Sequence, residues 1–401
     1  MCDIVGQAVG AGVSRRNVLR ATLGGAAVLG VAACSGNTGP AANQPSAAGT
    51  PAPAGPPSAE GARTQLILLG TSGGPPYWPG SDREGIASAL LVGDRYYVVD
   101  AGAGLLRQMR SAQLGNWQHD TDGPLDAMRA IFLTHLHSDH VVDLNNLLTE
   151  GLYNGLAQVD RKVPIWGPGN RGALPPLFGA PPAPQPVAPE NPTPGTKEMV
   201  DLLVRAFATD FNDRAFDNRK PVPSQLFEGL DVPIPAQYLA DPNGTPAPRM
   251  SPVKFYEDDR VRVSATLVQH APVFPALGLR FDTDDGSVVF SGDTGPTDNL
   301  VELAQGADVL VHEVIARGWP DRLLPAPRND AQEGLYQHLL NAHTVIEDVG
   351  PIAERAQAKT LVLSHIVPGN WPVDDFQRAQ NGYSGTLVVG KDLDRIGVVK
   401  R

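Results

Sequence analysis

The apolar runs of this chain are short, and they come in two sets. The first holds QLILLG (65–70), ASALLVG (87–93), RYYVVD (95–100), AIFLT (130–134) and VPIWGP (163–168). The second holds VRVSATLVQH (261–270), LGLRFDT (277–283), SVVFSGD (287–293), DVLVHE (308–313), TLVLSHI (360–366) and TLVVG (386–390), with a DDG turn at 284–286. Apolar runs of this length, bounded by turn residues, read as strands, and the first three suit an antiparallel meander. Helical spacing of apolar residues predicts helices over 105–114, from His140 through Leu144, Leu147 and Leu148, and over 297–305 and 344–358. Two sets of strands, each flanked by helices, predict an α/β fold in which two sheets pack face to face with helices outside, an αββα sandwich. The 401 residues, 42% hydrophobic, are enough to bury a large core.

The polar residues at the ends of these strands carry the chemistry. His135 follows AIFLT, His270 ends the 261–270 run, Asp293 follows SVVFSG and His365 lies within TLVLSHI. Strand ends converge on one edge of a sandwich, where residues far apart in sequence meet. The segment THLHSDH (134–140) sets His135 and His137 two apart in an extended turn, so that both imidazoles reach one cation while Asp139 and His140 face a second. Imidazole nitrogen and carboxylate oxygen are the usual zinc ligands. Three of the chain's nine histidines fall in this one turn.

On these residues the chain resembles the metallo-β-lactamase superfamily, and within it the branch containing RNase Z and certain bacterial arylsulfatases. The resemblance runs from residue 64 to about 400 through GTSGGPP (70–76), DAGAG (100–104), THLHSDH, QHAP (269–272), SGDT (291–294), VHE (311–313), NAHT (341–344) and LSHI (363–366). It implies a metallo-β-lactamase αββα sandwich with two divalent metal ions, zinc by preference. His135, His137 and His270 would bind one ion, Asp139, His140 and His365 the other, with Asp293 bridging. Two such ions would hold a hydroxide and neutralise charge in an ester's transition state. Asp139 would also orient that hydroxide, and Asp100 would sit behind the ligands, fixing the His-rich loop. His343 matches the position that protonates the leaving oxygen, held by Glu313; a histidine suits that role because it titrates near working pH. His312 reads as a buried supporting residue, and His119 and His338 as bland.

The same resemblance frames the substrate. RNase Z proteins insert a long tRNA-gripping arm between the third-motif histidine and the bridging aspartate, whereas only 22 residues separate His270 from Asp293 here. Net charge is −11, with no basic run outside the N-terminus to displace counterions from a nucleic-acid backbone. These features set nucleic acid aside and favour a small anionic ester: a phosphodiester or an aryl sulfate, with lactones a further class. An RNase Z-type 3′-tRNA endoribonuclease is the alternative enzyme, and a metal-binding lipoprotein without turnover the alternative of a different class. The long insertion lies earlier, at 170–255, with Pro-rich loops and a helix-like segment at 197–214; it is expected to form a lid or wall over the site. Family relatives are often homodimers, though no motif here shows it.

The N-terminus reads as an address. SRRNVLR (14–20) precedes the apolar stretch ATLGGAAVLGVAA (21–33), too short and Gly/Ala-rich for a membrane span, and resembles a twin-arginine export signal. It ends in Val31-Ala32-Ala33-Cys34, which resembles a lipoprotein cleavage box with Cys34 as the lipidated residue. The only other cysteine is Cys2, so cleavage leaves the body no partner for a disulfide. Residues 34–62 hold almost no large apolar side chains and read as a tether. The expected organisation is a signal segment at 1–33, this tether, and a hydrolase domain at 63–401, exported and lipid-anchored to the outer face of the membrane or secreted.

Overall fold

In β1 (Thr64–Gly70), Leu66 and Leu68 point into one apolar core while Ile67 and Leu69 point into another. Side chains alternate along a strand, so a strand that is apolar throughout must be covered on both faces. That is the arrangement seen in the computed structural model, which describes residues 55–400 apart from 117–122, 157–160 and 179–181. The expected signal segment, most of the tether, Cys34 and His119 lie outside the described residues. Of the tether's last residues, Pro57 accepts a hydrogen bond from the Gly397 amide.

The first sheet runs in the order β14 (Arg395–Gly397), β1, β2 (Ala87–Val92), β3 (Arg95–Val99), β4 (Met128–Phe132), β5 (Val163–Gly167), β6 (Phe227–Asp231). The second runs β13 (Thr386–Val389), β12 (Thr360–Val367), β11 (Val309–Ile315), β10 (Ser287–Phe290), β9 (Leu277–Thr283), β8 (Val261–Leu267), β7 (Val253–Glu257). Each sheet has an antiparallel half and a parallel half: β1 to β3 form the expected meander, and β3 to β6 run parallel. Likewise β7 to β10 are antiparallel and β10 to β13 parallel. The core between the sheets includes Leu66, Leu90, Tyr97, Val263, Val311 and Val362. At its centre Phe132 meets Phe281 and Tyr256 edge-on, with ring centroids 5.1 and 5.3 Å apart. Two further apolar layers lie on the outer faces, where helices such as Leu105–Ser111, Leu144–Glu150 and Ile346–Arg355 cover them. The αββα sandwich is therefore observed.

Several elements differ from the sequence reading. The single helix expected over 197–214 is two, Thr196–Ala206 and Ala208–Asn218, broken at Phe207. The helix expected from His140 likewise divides into Ser138–Val141 and Leu144–Glu150. The 170–255 insertion supplies two edge strands, β6 on the first sheet and β7 on the second, that the sequence does not announce. Both strands are short and half exposed, so their apolar signal is weak. Helix Asp330–Asn341 was also not anticipated, although the Asn329 side chain caps the Gln332 amide and Gln332 returns the bond to Asn329. Its Gly334 lies against the Phe178 ring, where a Cβ would stand 2.2 Å from the ring's far end. Among the described residues no helix is long and apolar enough to cross a membrane.

Candidate metal centre

The site is built where strands stop. Strand β4 ends at Phe132 and delivers His135, His137, Asp139 and His140 on the following turn; β8 delivers His270, β10 delivers Asp293, and His365 lies near the end of β12. All seven sequence-derived ligands come together in two groups, His135–His137–His270–Asp293 and Asp139–His140–His365–Asp293, each with ligand atoms within 4.8 Å of one another. Asp293 belongs to both through different oxygens. Its Oδ2 lies 3.8 Å from His135 Nε2 and 3.7 Å from His270 Nε2. Its Oδ1 lies 3.3 Å from His140 Nε2 and 3.2 Å from His365 Nε2.

These spacings test the fit of metal ions. Ligand atoms held 2.0–2.2 Å from one tetrahedral ion stand about 3.3–3.6 Å from each other, and the observed separations bracket that range. His135 Nε2, His140 Nε2 and Asp293 Oδ1 are buried without a hydrogen-bond partner. Buried polar atoms are seldom left so, and a cation is the partner such a set of lone pairs accepts. Burial holds His135 and His270 well below the usual histidine pKa, in the neutral form that ligates. Burial would also lower His140, but the charges of Asp293, Asp100 and Asp139 raise it well above its usual value. The residues fit two divalent ions.

A supporting layer fixes the ligands. Asp100 Oδ2 lies 2.8 Å from His140 Nδ1, and its Oδ1 accepts the Thr134 amide at 2.8 Å. Asp100 thereby ties the start of the His-rich turn to its last ligand, and it does so from a left-handed backbone, φ 60°. Thr134, which sequence reasoning passed over, joins this clamp through its hydroxyl. His270 Nδ1 donates to the Ala342 carbonyl at 2.8 Å, which leaves Nε2 free to ligate. His365, at φ 45°, has Gly73 against its ring; a Cβ on Gly73 would stand 2.5 Å from Nδ1.

His343 and Glu313 join the same cluster. His343 Nδ1 is 3.2 Å from Glu313 Oε1, and both residues are buried. Burial alone would lower the His343 pKa, but the adjoining Glu313, with Asp293 and Asp139, pushes it up to about 9. Glu313 Oε1 also accepts the amides of Thr294 and Thr344. His312 is fully buried with Nδ1 on the Glu313 carbonyl, and half-buried His338 lies outside both ligand groups. Of the insertion, Arg171 donates to the Pro272 carbonyl, two residues beyond His270, and Phe178 packs on helix Asp330–Asn341. This segment thus stands beside the His270 turn.

The fold and the two ligand groups define a metal-dependent hydrolase of the metallo-β-lactamase class. Residues 222–366 match the model of the β-lactamase superfamily domain. Ribonuclease Z of Mycobacterium bovis is 30% identical over 343 residues, which cover 84% of this chain and 99% of that protein. Ribonuclease Z of Mycobacterium marinum is 29% identical over 340 residues, again 84% and 99%. Among solved structures, human tRNase Z, short form, aligns with a TM-score of 0.51 at 19% identity, over 83% of this chain and 99% of that one. The chain belongs to the ribonuclease Z family of the metallo-β-lactamase superfamily.

Proposed function

We propose that the chain is a zinc-dependent phosphodiesterase of the ribonuclease Z type, cutting RNA. The observation that carries the reading is the alignment with the mycobacterial protein named ribonuclease Z, which spans nearly all of that protein. The sequence reading put a phosphodiester or aryl sulfate first and set nucleic acid aside; the relatives favour its RNase Z alternative and give no support to the sulfate.

His135, His137 and His270 would hold one ion and Asp139, His140 and His365 the other, with Asp293 serving both. Bound zinc ions would supply an activated water and neutralise charge developing on the phosphoryl oxygens. Asp139 keeps its charge because His140 and His365 offset the cost of its burial, so it accepts a hydrogen bond from the attacking water. His343, with Nδ1 3.2 Å from Glu313 Oε1, would donate through Nε2 to the leaving oxygen. A metal-binding protein without turnover would have no use for that pair.

A second reading, a small phosphodiester, is favoured by the 22 residues between His270 and Asp293, which β9, β10 and their turns fill with no room for an arm. The zinc-loaded protein should be tested on precursor tRNA, a bis-nitrophenyl phosphodiester and a nitrophenyl sulfate. The proposal expects turnover of the phosphodiester and 3′ cleavage of the tRNA. Phosphodiester turnover with intact tRNA selects the second reading, and turnover of the sulfate alone rejects both.

We also infer export and lipid anchoring, supported by SRRNVLR and Cys34. Changing Arg15 and Arg16 together to Lys should keep the protein in the cytoplasm, and Cys34→Ala should release it from the membrane fraction. Full-length, unmodified protein in the cytoplasm of normal cells would overturn this.

A further inference from the structure

The turn that carries His270 is held from outside at four successive residues, 269 to 272. The Gln269 carbonyl accepts the Gly295 amide at 2.7 Å, and the Gln269 amide donates to the Thr294 hydroxyl at 3.0 Å. His270 Nδ1 meets the Ala342 carbonyl. The Ala271 carbonyl accepts a hydrogen bond from the ring of His338, and the Pro272 carbonyl accepts one from Arg171. These ties serve different ends. The first joins the turn to the loop of Asp293, and the second is main chain at its outer end. Arg171 is spread over the carbonyls of Ala173, Pro242 and Pro272 and the side chain of Asn243, so it fastens the insertion as a whole. His338 is different in kind: it is a side chain whose bond goes to the turn of His270.

His338 stands where an apolar residue is expected. Helix Asp330–Asn341 buries Leu335 and Leu339, and the stripe through them continues, three and seven residues after Leu335, at His338 and at buried Ala342. A polar ring in that stripe is costly unless it is bonded. Burial pushes its pKa down to about 4, and charge on the neighbouring His343 and His137 acts the same way. The ring is therefore neutral and has one N–H to give. Residue 338 also supports the adjoining tie, because its carbonyl takes the Ala342 amide at 2.9 Å while the Ala342 carbonyl holds His270. One residue thus braces the ligand's ring from behind and the next peptide from the side. His137, which His338 neighbours, has Nδ1 3.4 Å from His270 Nε2, so this brace belongs to the three-histidine group. The other group has its own in Asp100, on His140.

We propose that His338 is a positioning residue for the ion of His135, His137 and His270, acting through the Ala271 carbonyl, while Asp100 serves the ion of Asp139, His140 and His365. The inference goes beyond the phosphodiesterase reading, because it concerns ion binding whatever ester is cut, and it rests on the two-ion site.

The test needs no substrate. Zinc is returned to the metal-stripped full chain in competition with a chromophoric chelator, for wild type, His338→Leu, His338→Gln, His338→Asn, Asp100→Ala and the His338→Leu/Asp100→Ala double variant. Tm is read with and without zinc. His338→Leu should weaken one of the two binding steps by about 10- to 100-fold, the cost of losing a residue that orients a ligand, and leave the other step unchanged. Asp100→Ala should weaken the other step, and the double variant should show both losses. Gln and Asn carry an amide N–H near the positions of Nε2 and Nδ1, so one of them should restore the weakened step. The Tm of metal-free His338→Leu should stay near that of wild type, while the rise on adding zinc shrinks. His338→Ala takes the place of the leucine variant where that one does not fold. Equal loss on both steps, loss on the step that Asp100→Ala weakens, no loss, or no rescue by either amide would overturn the positioning role. So would a fall in metal-free Tm with an undiminished zinc response. A wild type that binds fewer than two ions would overturn the two-ion site and this inference with it.

Discussion

The ligand cluster and the 73–78 loop beside it, which packs Gly73 on the His365 ring, are built on opposite terms. Three of the ligands are tied from behind: His140 by Asp100, His270 by the Ala342 carbonyl, His365 by the face of Gly73. The 73–78 loop is held where the Trp78 indole donates to the Gly73 carbonyl and left open at Tyr77, which is 86% exposed. The difference teaches which part of such a molecule is free to vary. Chemistry that needs atoms placed to a fraction of an ångström sits on strand ends in buried surroundings, while choice of substrate sits on surface loops that tolerate replacement.

The sharpest way to break the contrast is at the one residue both ion groups share. Asp293→Ala should lower the occupancy of both ions, from about two per chain, and abolish turnover, whereas Tyr77→Ala should leave metal content unchanged; elemental analysis of the purified proteins decides it. Removal of the ions tests the same asymmetry through stability. With ions at a thousand times their dissociation constant, chelation should withdraw about 4 kcal/mol for each ion, read as a fall in Tm. If chelation leaves Tm unmoved, the clustered carboxylates do not need cations and the metal centre is misassigned.

His343 is buried with the ligands but belongs to neither of the two groups that share Asp293. His343→Ala should cost on the order of 10²-fold or more on alkyl phosphodiesters and little on nitrophenyl esters, whose leaving group departs without a proton. Equal losses on both would remove it from the acid role. Asp100→Ala should weaken ion binding by about 10- to 100-fold, measured by competition with a chromophoric chelator; unchanged affinity would reduce Asp100 to a turn residue. The smallest effect belongs to the insertion. Losing the Arg171 bond to Pro272 in Arg171→Ala should alter KM by less than about 10-fold and leave kcat alone, since loss of a hydrogen bond to a charged donor costs about 1.5–3 kcal/mol only when it is fully expressed. A large fall in kcat would show that this segment shapes the reacting geometry itself.

The ligands were legible in the sequence because each rides on an element with a strong local signal. A buried strand followed by THLHSDH leaves little choice about where four of the ligands go, and His270, Asp293 and His365 end apolar runs of the same kind. The supporting contacts were half legible: Asp100 stands at a strand end, but nothing local shows that Thr134 completes its clamp or that the amides of Thr294 and Thr344 converge on one carboxylate oxygen. The meeting of Trp78 with Trp319, and of Gly318 with Trp371, was not legible at all. Trp78, Trp319 and Trp371 lie in loops and a six-residue helix without periodicity, and only the parallel pairing of β11 with β12 brings two of those segments together. The edge strands β6 and β7 escaped for a related reason, since a half-exposed strand has too few inward positions to mark a period.

Glu313 joins two loops that sequence keeps fifty residues apart. One of its oxygens receives the amide that follows Asp293 and the amide that follows His343, and the Thr344 hydroxyl closes the link on the Thr294 carbonyl. The loop carrying the shared ligand and the loop carrying the acid therefore open as one cooperative unit. In hydrogen exchange the Thr294 and Thr344 amides should be released by the same opening event and at the same rate, and that rate should fall together for both when the ions bind.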